Sequence, residues 1–475
     1  MEEKKMRWYD YITININYMG LTTRSQVLTP LIIPVLVQQF LGEEGKGAAV
    51  GTIRLWALMV ALLAQALFGL FSDHTVSKFG KRRPYIFLGV IGEVIVFMLM
   101  AWCAVELAGR TGYVVLFALY ILSMLTSNAS HAGTQSLIPD LVPEKDRGTF
   151  SGVKALFELP FPVIFVSLVI APFVAKNNIF VALGITSLVL VVSMVITMFA
   201  KEEPTQRTKE RVQWKPFLNL VWMTVAFTIV ILGLGELVKW SAKLDLFQTN
   251  SALPVIVGVL GMAVSVVIGV WISIRLALGK KEYKQRSSYT WWVINRLAFM
   301  VALTNLATFM VYFMQDKFDL IGEAAAGPAS RVTMLVGVFV LLLAVPTGKI
   351  ADKFAKKPLL IISGVMAATG ILALLLIPQM FGIYIAGGLI GSASGIFYSS
   401  NWALGTELVP AEKAGKYMGI QNLAGAGAGA IGAYLGGPIA DQVGYTALFA
   451  IYGFMFLLSV VALFWIKEPK LGAAS

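Results

Sequence analysis

An all-α, polytopic membrane fold follows from three observations on this sequence. Hydrophobic residues supply 57% of its 475 positions and charged residues only 13%, more apolar surface than a water-soluble globule could cover. Apolar runs of bilayer-spanning length, roughly 20 residues, recur from one end to the other between short polar connections. The cations crowd into alternate connections: MEEKKMR, SKFGKRR, EKDR, KEEPTQRTKERVQWK, GKKEYKQR, GKIADKFAKK, AEKAGK and KEPK hold 26 of the 38 Lys and Arg. By the positive-inside rule these face the cytoplasm, so both termini lie inside and the number of spans is even. The net charge of +12 reads as topology and not as a nucleic-acid footprint, because the cations are confined to alternate connections between apolar runs and do not line a strand-binding groove.

The first span, 12–40, opens with MRWYDY and has no small-residue cleavage site, so it is a retained helix and not a signal peptide. Spans 50–72 and 85–107 flank the charged stretch SDHTVSKFGKRRPY; 113–137, 149–174 and 179–200 complete a first set of six. A charged linker leads to 217–240 and 252–278, a hairpin poor in polar groups that suits a position against lipid or a partner. After a second basic loop come 289–315, 329–350, 358–378, 381–404, 416–436 and 439–466, giving fourteen spans. The domains expected are 1–200, 201–288 with the hairpin, and 289–475. Cys103, the single cysteine, excludes an internal disulfide.

The second six echo the first. IPDLVPEKDRGTFSGV (138–153) is matched by GTELVPAEKAGKYMGI (405–420), and GLFSDHTVSKFGKRRP by GKIADKFAKKP (348–358). Two similar bundles imply a pseudo-twofold axis along the membrane normal and a cavity between them. The glycine run GAGAGAIGAYLGG (425–437) follows no strand and lacks G-K-[ST], so it serves close helix packing and not phosphate binding.

On these residues the chain resembles the major facilitator superfamily, whose loop between the second and third helices reads approximately G-x-x-x-D-x-x-G-[RK]-[RK]. More narrowly, QALFGLFSDHTVSKFGKRRPY is similar to the sucrose-proton symporters and related proton-sugar carriers, glycoside-pentoside-hexuronide-like proteins. Their Q-P-x-x-G-x-x-S-D-R and G-R-R-R-P-[FY] segments are met by Gln65, Gly69, Ser72, Asp73, Gly80, Arg82, Arg83 and Pro84. Ala66 stands for the proline and His74 for the arginine. In the fourth span Asn128, Leu137, Asp140 and Leu141 fit, while His131 replaces Gln and Gln135 replaces Arg. The two Asp that place sodium in the melibiose permease correspond to Ala61 and Gln65, which argues against a sodium site. The hairpin has an analogue in proton-coupled peptide transporters, whose E-x-x-E-R signature is missing. The resemblance implies two six-helix bundles plus the inserted hairpin, a major facilitator fold of fourteen transmembrane helices.

Ionisable groups at membrane depth are costly and mark function. Arg24 lies about 18 Å into its span, near the middle of a core about 30 Å thick, with Gln26 on the next turn. It holds a substrate carboxylate or hydroxyls, or else pairs with a bundle acid. Glu158, followed at once by Pro160 and Pro162, is the expected proton-coupling acid, with the equally deep Glu93 as its rival; the alternative for Glu158 is a fixed pair with Lys154 one turn away. Asn128 and His131 share a face of span four, and Asn305, Tyr398 and Asn401 add polar groups in the second half; these join Arg24 and Gln26 as substrate-binding candidates. Asp73, Arg82, Asp140, Arg147 and Asp352 are the gating candidates. With no nucleophile triad or metal-ligand cluster in view, an enzyme is not expected and no cofactor is implied.

The expected function is proton-coupled symport of a sugar or glycoside across the plasma membrane by alternating access. An organic-anion importer or exporter of amphipathic compounds is the alternative. A non-transporting subunit or assembly factor, docked to a membrane-protein partner through the hairpin, represents another class. The partners implied are the small-molecule substrate, sugar or sugar acid, the proton and the lipid bilayer, with no nucleic acid.

Overall fold

The computed structural model describes the chain except for residues 1–5, 144–145, 205–213, 242–243, 245–251, 280–286, 352–354, 378, 410–413 and 469–475. Thirteen helices in it are long and apolar enough to cross a membrane. In chain order they are α1 Asp10–Leu41, α2 Lys46–Asp73, α3 Arg83–Glu106, α4 Gly109–Leu141, α5 Arg147–Val174, α6 Ile179–Thr197, α7 Trp214–Ser241, α8 Ala252–Leu278, α9 Ser287–Phe318, α10 Ala326–Ala351, α11 Lys356–Leu376, α12 Met380–Leu408 and α13 Ala414–Ala462. The last is bent at Gly444, whose φ of +83° and ψ of 162° are non-helical, so its two arms supply the fourteenth span.

The sequence places that final break at Gly437 and Pro438, whereas the helix runs through both. A proline beside the end of an arm removes one backbone donor that other groups can offset in a membrane helix. Gly437 serves contact instead: a Cβ there would collide with the Gly47 carbonyl, and one on Gly47 would lie 2.7 Å from the Gly437 carbonyl. Of Gly437 and Gly444, the latter alone stands at positive φ, in the left-handed backbone that favours glycine.

Two compact units emerge. One comprises Met1–Leu41, Val60–Phe217 and Gly322–Ser330; the other Gly42–Met59, Leu218–Ile321 and Arg331–Ser475. The first turns of α2, up to Met59, are grouped with the second unit. Within the first unit α1 is the most enclosed spanning helix, and within the second α9 is. Their neighbours turn large apolar side chains such as Phe180, Leu88, Leu376 and Trp222 outward, as lipid-facing helices do.

Two helices contain a wide π turn: Leu28–Ile32 in α1 and Val166–Ile170 in α5. Pro30 sits inside the first, and Pro160 and Pro162 precede the second. Missing proline N–H groups and ring crowding favour such local widening.

Candidate functional site

Small residues set the geometry of the first unit. A Cβ on Gly89 of α3 would lie 2.6 Å from the Ser130 nitrogen and from the Thr126 carbonyl of α4, so only glycine permits this crossing. One turn deeper the close approach delivers Glu93, 1% exposed, to Ser123 and Thr126. Arg24 reaches the same spot from α1: its Nε donates to Glu93 Oε1 at 2.7 Å and its Nη2 donates to Ser123 Oγ. Ser123 in turn donates to Glu93 Oε1 at 2.5 Å, and Thr126 Oγ1 donates to Oε2. Three helices therefore meet in one buried ion pair bridged by a hydroxyl.

Toward the other end of α1 lies a second polar group. Asn17 Nδ2 donates to Ser130 and Thr134 at 3.1 and 2.6 Å, and the Tyr18 ring stands edge-on to His131 with centroids 6.1 Å apart. Lys154 of α5 lies 4.6 Å from the Tyr18 ring centroid and 3.5 Å from Glu158. Asn17 Oδ1, Tyr18 Oη and Thr23 Oγ1 are buried without a hydrogen-bond partner among the described residues. Asn128 turns back to the Met124 carbonyl at 2.8 Å, and Gln26 is half-buried. Glu158 is 45% exposed beside Lys154, the local pairing that its i, i+4 spacing suggested.

In the second unit Asn401 Nδ2 donates to Asn295 at 3.0 Å, and Arg296 Nη1 donates to Asn401 Oδ1 at 2.8 Å. Asn305 donates to the Val301 and Ala428 carbonyls. Asn401 and Asn305 are thus fully buried and joined to neighbouring helices, while Tyr398 is 38% exposed with its hydroxyl 3.8 Å from Met300 sulfur.

The charged loop that the sequence raised forms a compact knot inside the first unit. Arg82 donates to Ser72 and Asp73 at 2.5 Å and to Asp140 at 2.7 Å, while Lys81 sits 3.2 Å from Asp140. Burial by itself would lower the Arg82 pKa; the Asp140 and Asp73 carboxylates outweigh it and raise the group. Arg147 donates to the Pro139 and Val142 carbonyls at the end of α4. Asp352 lies outside the described residues.

Sequence reading missed Glu202, whose carboxylate accepts the backbone N–H groups of Lys81, Arg82 and Arg83 at 2.7 to 3.2 Å. The second unit repeats the plan with Lys356, which pairs with Glu407 at 2.6 Å and donates its N–H to Glu468 at 2.5 Å. The signal was present: KEEP after the sixth span recurs as KEP after the last. Among the described residues no group of three or more His, Cys, Asp or Glu is placed to hold a metal ion.

Comparison with known proteins supplies the remaining context. The chain matches the Major Facilitator Superfamily profile over residues 12–315 and 292–475. It is 24% identical over 172 residues to D-xylose-proton symporter-like 2 of Arabidopsis thaliana, covering 34% of each chain. A multi-drug resistance efflux pump of Streptococcus pneumoniae is 30% identical over 122 residues, 26% of this chain and 30% of that one. The matched stretches therefore span about a third of these curated relatives. In fold, a crystal structure of a D-xylose-proton symporter superposes with a TM-score of 0.66 at 16% identity, covering 96% of this chain and 98% of that one.

Proposed function

Because the chain belongs to the Major Facilitator Superfamily and is a multi-pass membrane transporter, we propose that it carries a sugar or glycoside inward together with a proton, by alternating access through the plasma membrane with both termini cytoplasmic. The division into 1–200, 201–288 and 289–475 belongs to the same proposal. The observation that carries it is the buried Arg24–Glu93 pair. A pair at this depth costs several kcal/mol in desolvation that two apolar residues would avoid, and such groups mark ion pathways. Glu93 is the coupling acid. Taking a proton neutralises Glu93 and frees the still-charged Arg24 fork, which Ser123 otherwise shares, to hold a substrate hydroxyl. Glu158, exposed and beside Lys154, assists from the rim.

The substrate class is supported by unsatisfied buried polarity. Asn17, Tyr18 and Thr23 present oxygen atoms lacking partners among the described residues, and a hydroxyl-rich solute satisfies them as an aliphatic one cannot. Gln26, Asn128 and His131 on α1 and α4 are assigned to substrate with them. From the second half, Asn305, Tyr398 and Asn401 are assigned to substrate, Asn305 and Asn401 through the backbone and side-chain bonds that fix their helices. Asp73, Arg82, Asp140, Arg147 and Asp352 set the gate. The relation to D-xylose-proton symporters supports the same reading.

The experiment is external pH in lightly buffered vesicles as neutral sugars are added. Alkalinisation by one sugar, abolished in Glu93→Gln while sugar exchange persists, is the expected result; full proton-driven accumulation by that variant would falsify the assignment. A second reading, efflux of amphipathic compounds, is favoured by the relation to the efflux pump. It predicts dye extrusion and silence to every sugar.

A further inference from the structure

A cavity of about 720 Å³ opens between the end of α8 and the start of α9, both in the second unit. Ile268 and Trp271 wall it on one side, and Ser287, Thr290, Trp291 and Ile294 on the other. Its size falls within the range of about 300–1,000 Å³ typical of ligand sites. Ile268 and Trp271 are 41% and 39% exposed, so the groove communicates with the outside of the bundle, where the bilayer lies. From Ser287 to Ile294 it runs about 10 Å along the helix axis, the depth of a headgroup and the first part of an acyl chain.

Its chemistry changes along that length. The deep end is aliphatic, through Ile268 and Ile294. Ser287 and Thr290 line the shallow end, and the exposed Arg275 guanidinium lies next to the lining Trp271, 5.0 Å from its ring centroid. Trp291 is held by stacking on Trp465 at 4.5 Å. The start of the 32-residue α9 adds the positive end of a long helix. By sequence the connection 279–286 contains four cations and one acid.

We propose that this groove is a binding site for an anionic phospholipid of the leaflet facing the basic connections. The phosphate and anionic headgroup lie beside Arg275 and the first turn of α9, and the acyl chain follows Ile268 and Ile294. Charge complementarity selects the occupant: a zwitterionic lipid would bring its own cation to a site already positive, and a free phosphate would leave the aliphatic end unsolvated. The lipid fills the gap between the hairpin helix and α9. None of this depends on what the protein transports.

The test uses the full chain in bilayer discs of phosphatidylcholine and phosphatidylglycerol, followed by gentle extraction and native mass spectrometry of retained lipid. Phosphatidylglycerol should be retained over phosphatidylcholine, and Arg275→Gln should reduce that preference about fivefold, the weight of one cation at a membrane surface. Trp271→Leu should lower retention of the same lipid, with both variants eluting as the wild type does on sizing. Equal retention of the two lipids, or an unchanged preference in Arg275→Gln, overturns the proposal. So does displacement of the lipid by inorganic phosphate, which would mark a site for free anions. If the variants fail to fold, the wild type decides: its unfolding temperature should rise with added phosphatidylglycerol and not with phosphatidylcholine, and an equal rise with both refutes the site.

Discussion

Replacing Glu93 by Gln removes one charge and almost no volume. The carboxylate accepts bonds from Arg24, Ser123 and Thr126. A Gln amide oxygen still serves Arg24 and Ser123, and Thr126 can donate instead to the Leu122 and Ser123 carbonyls, each already 3.2 Å away. What remains is Arg24, 5% exposed, with its counter-charge gone. Breaking a buried pair from one side costs about 3–5 kcal/mol, mostly from the stranded charge. Arg24→Met combined with Glu93→Leu strands nothing and should return stability to within about 1 kcal/mol of wild type. With the single variants Arg24→Met and Glu93→Leu as its other corners, each leaving one charge stranded, the cycle yields a coupling of about 3 kcal/mol or more, beyond what independent sites show. Unfolding in mixed micelles, followed by tryptophan fluorescence, measures it. A Glu93→Gln protein as stable as wild type, or a double variant no better than the worse single one, would refute the idea that this pair is a costly arrangement kept for transport.

Three further outcomes are expected. Arg82→Lys should lose about 1.5–3 kcal/mol in the same assay and slow initial uptake, because one ammonium cannot meet Ser72, Asp73 and Asp140 in the planar pattern of a guanidinium. Asp441→Ala should cost about 1–2 kcal/mol, since that carboxylate accepts the Gly47 and Ala48 N–H groups at 2.8 Å at the start of α2. Gly437→Val should aggregate on size exclusion, whereas Gly425→Ala, with nothing within 4 Å of its Cβ position, should not.

The spans were legible because twenty-residue apolar runs have few other destinations, and the duplicated loops exposed the repeat. The last boundary was misplaced because Gly437 and Pro438 imitate a turn while serving a helix contact. Within the site, Lys154 and Glu158 could be paired from a spacing of four residues. Arg24 and Glu93, 69 positions apart, could be named as costly but not joined, since the contact arises only where glycine lets α3 press on α4. Tyr18 and Asn17 gave no signal at all: a tyrosine and an asparagine near a helix end read as interface residues until burial is known.

The π turn at Leu28–Ile32 bears on how this chain should be aligned with its relatives. A five-residue wide turn advances the helix by nearly the same rotation as four residues of ordinary helix, so it behaves as a one-residue insertion already absorbed. A homologue shorter by one position there would still aim the side chains equivalent to Arg24 and Val35 along the same directions. A gap at this point in an alignment is consequently no evidence of a different pocket, and forcing the sequences into register without one would shift the residues on one side of the turn by one position and assign them to the wrong face.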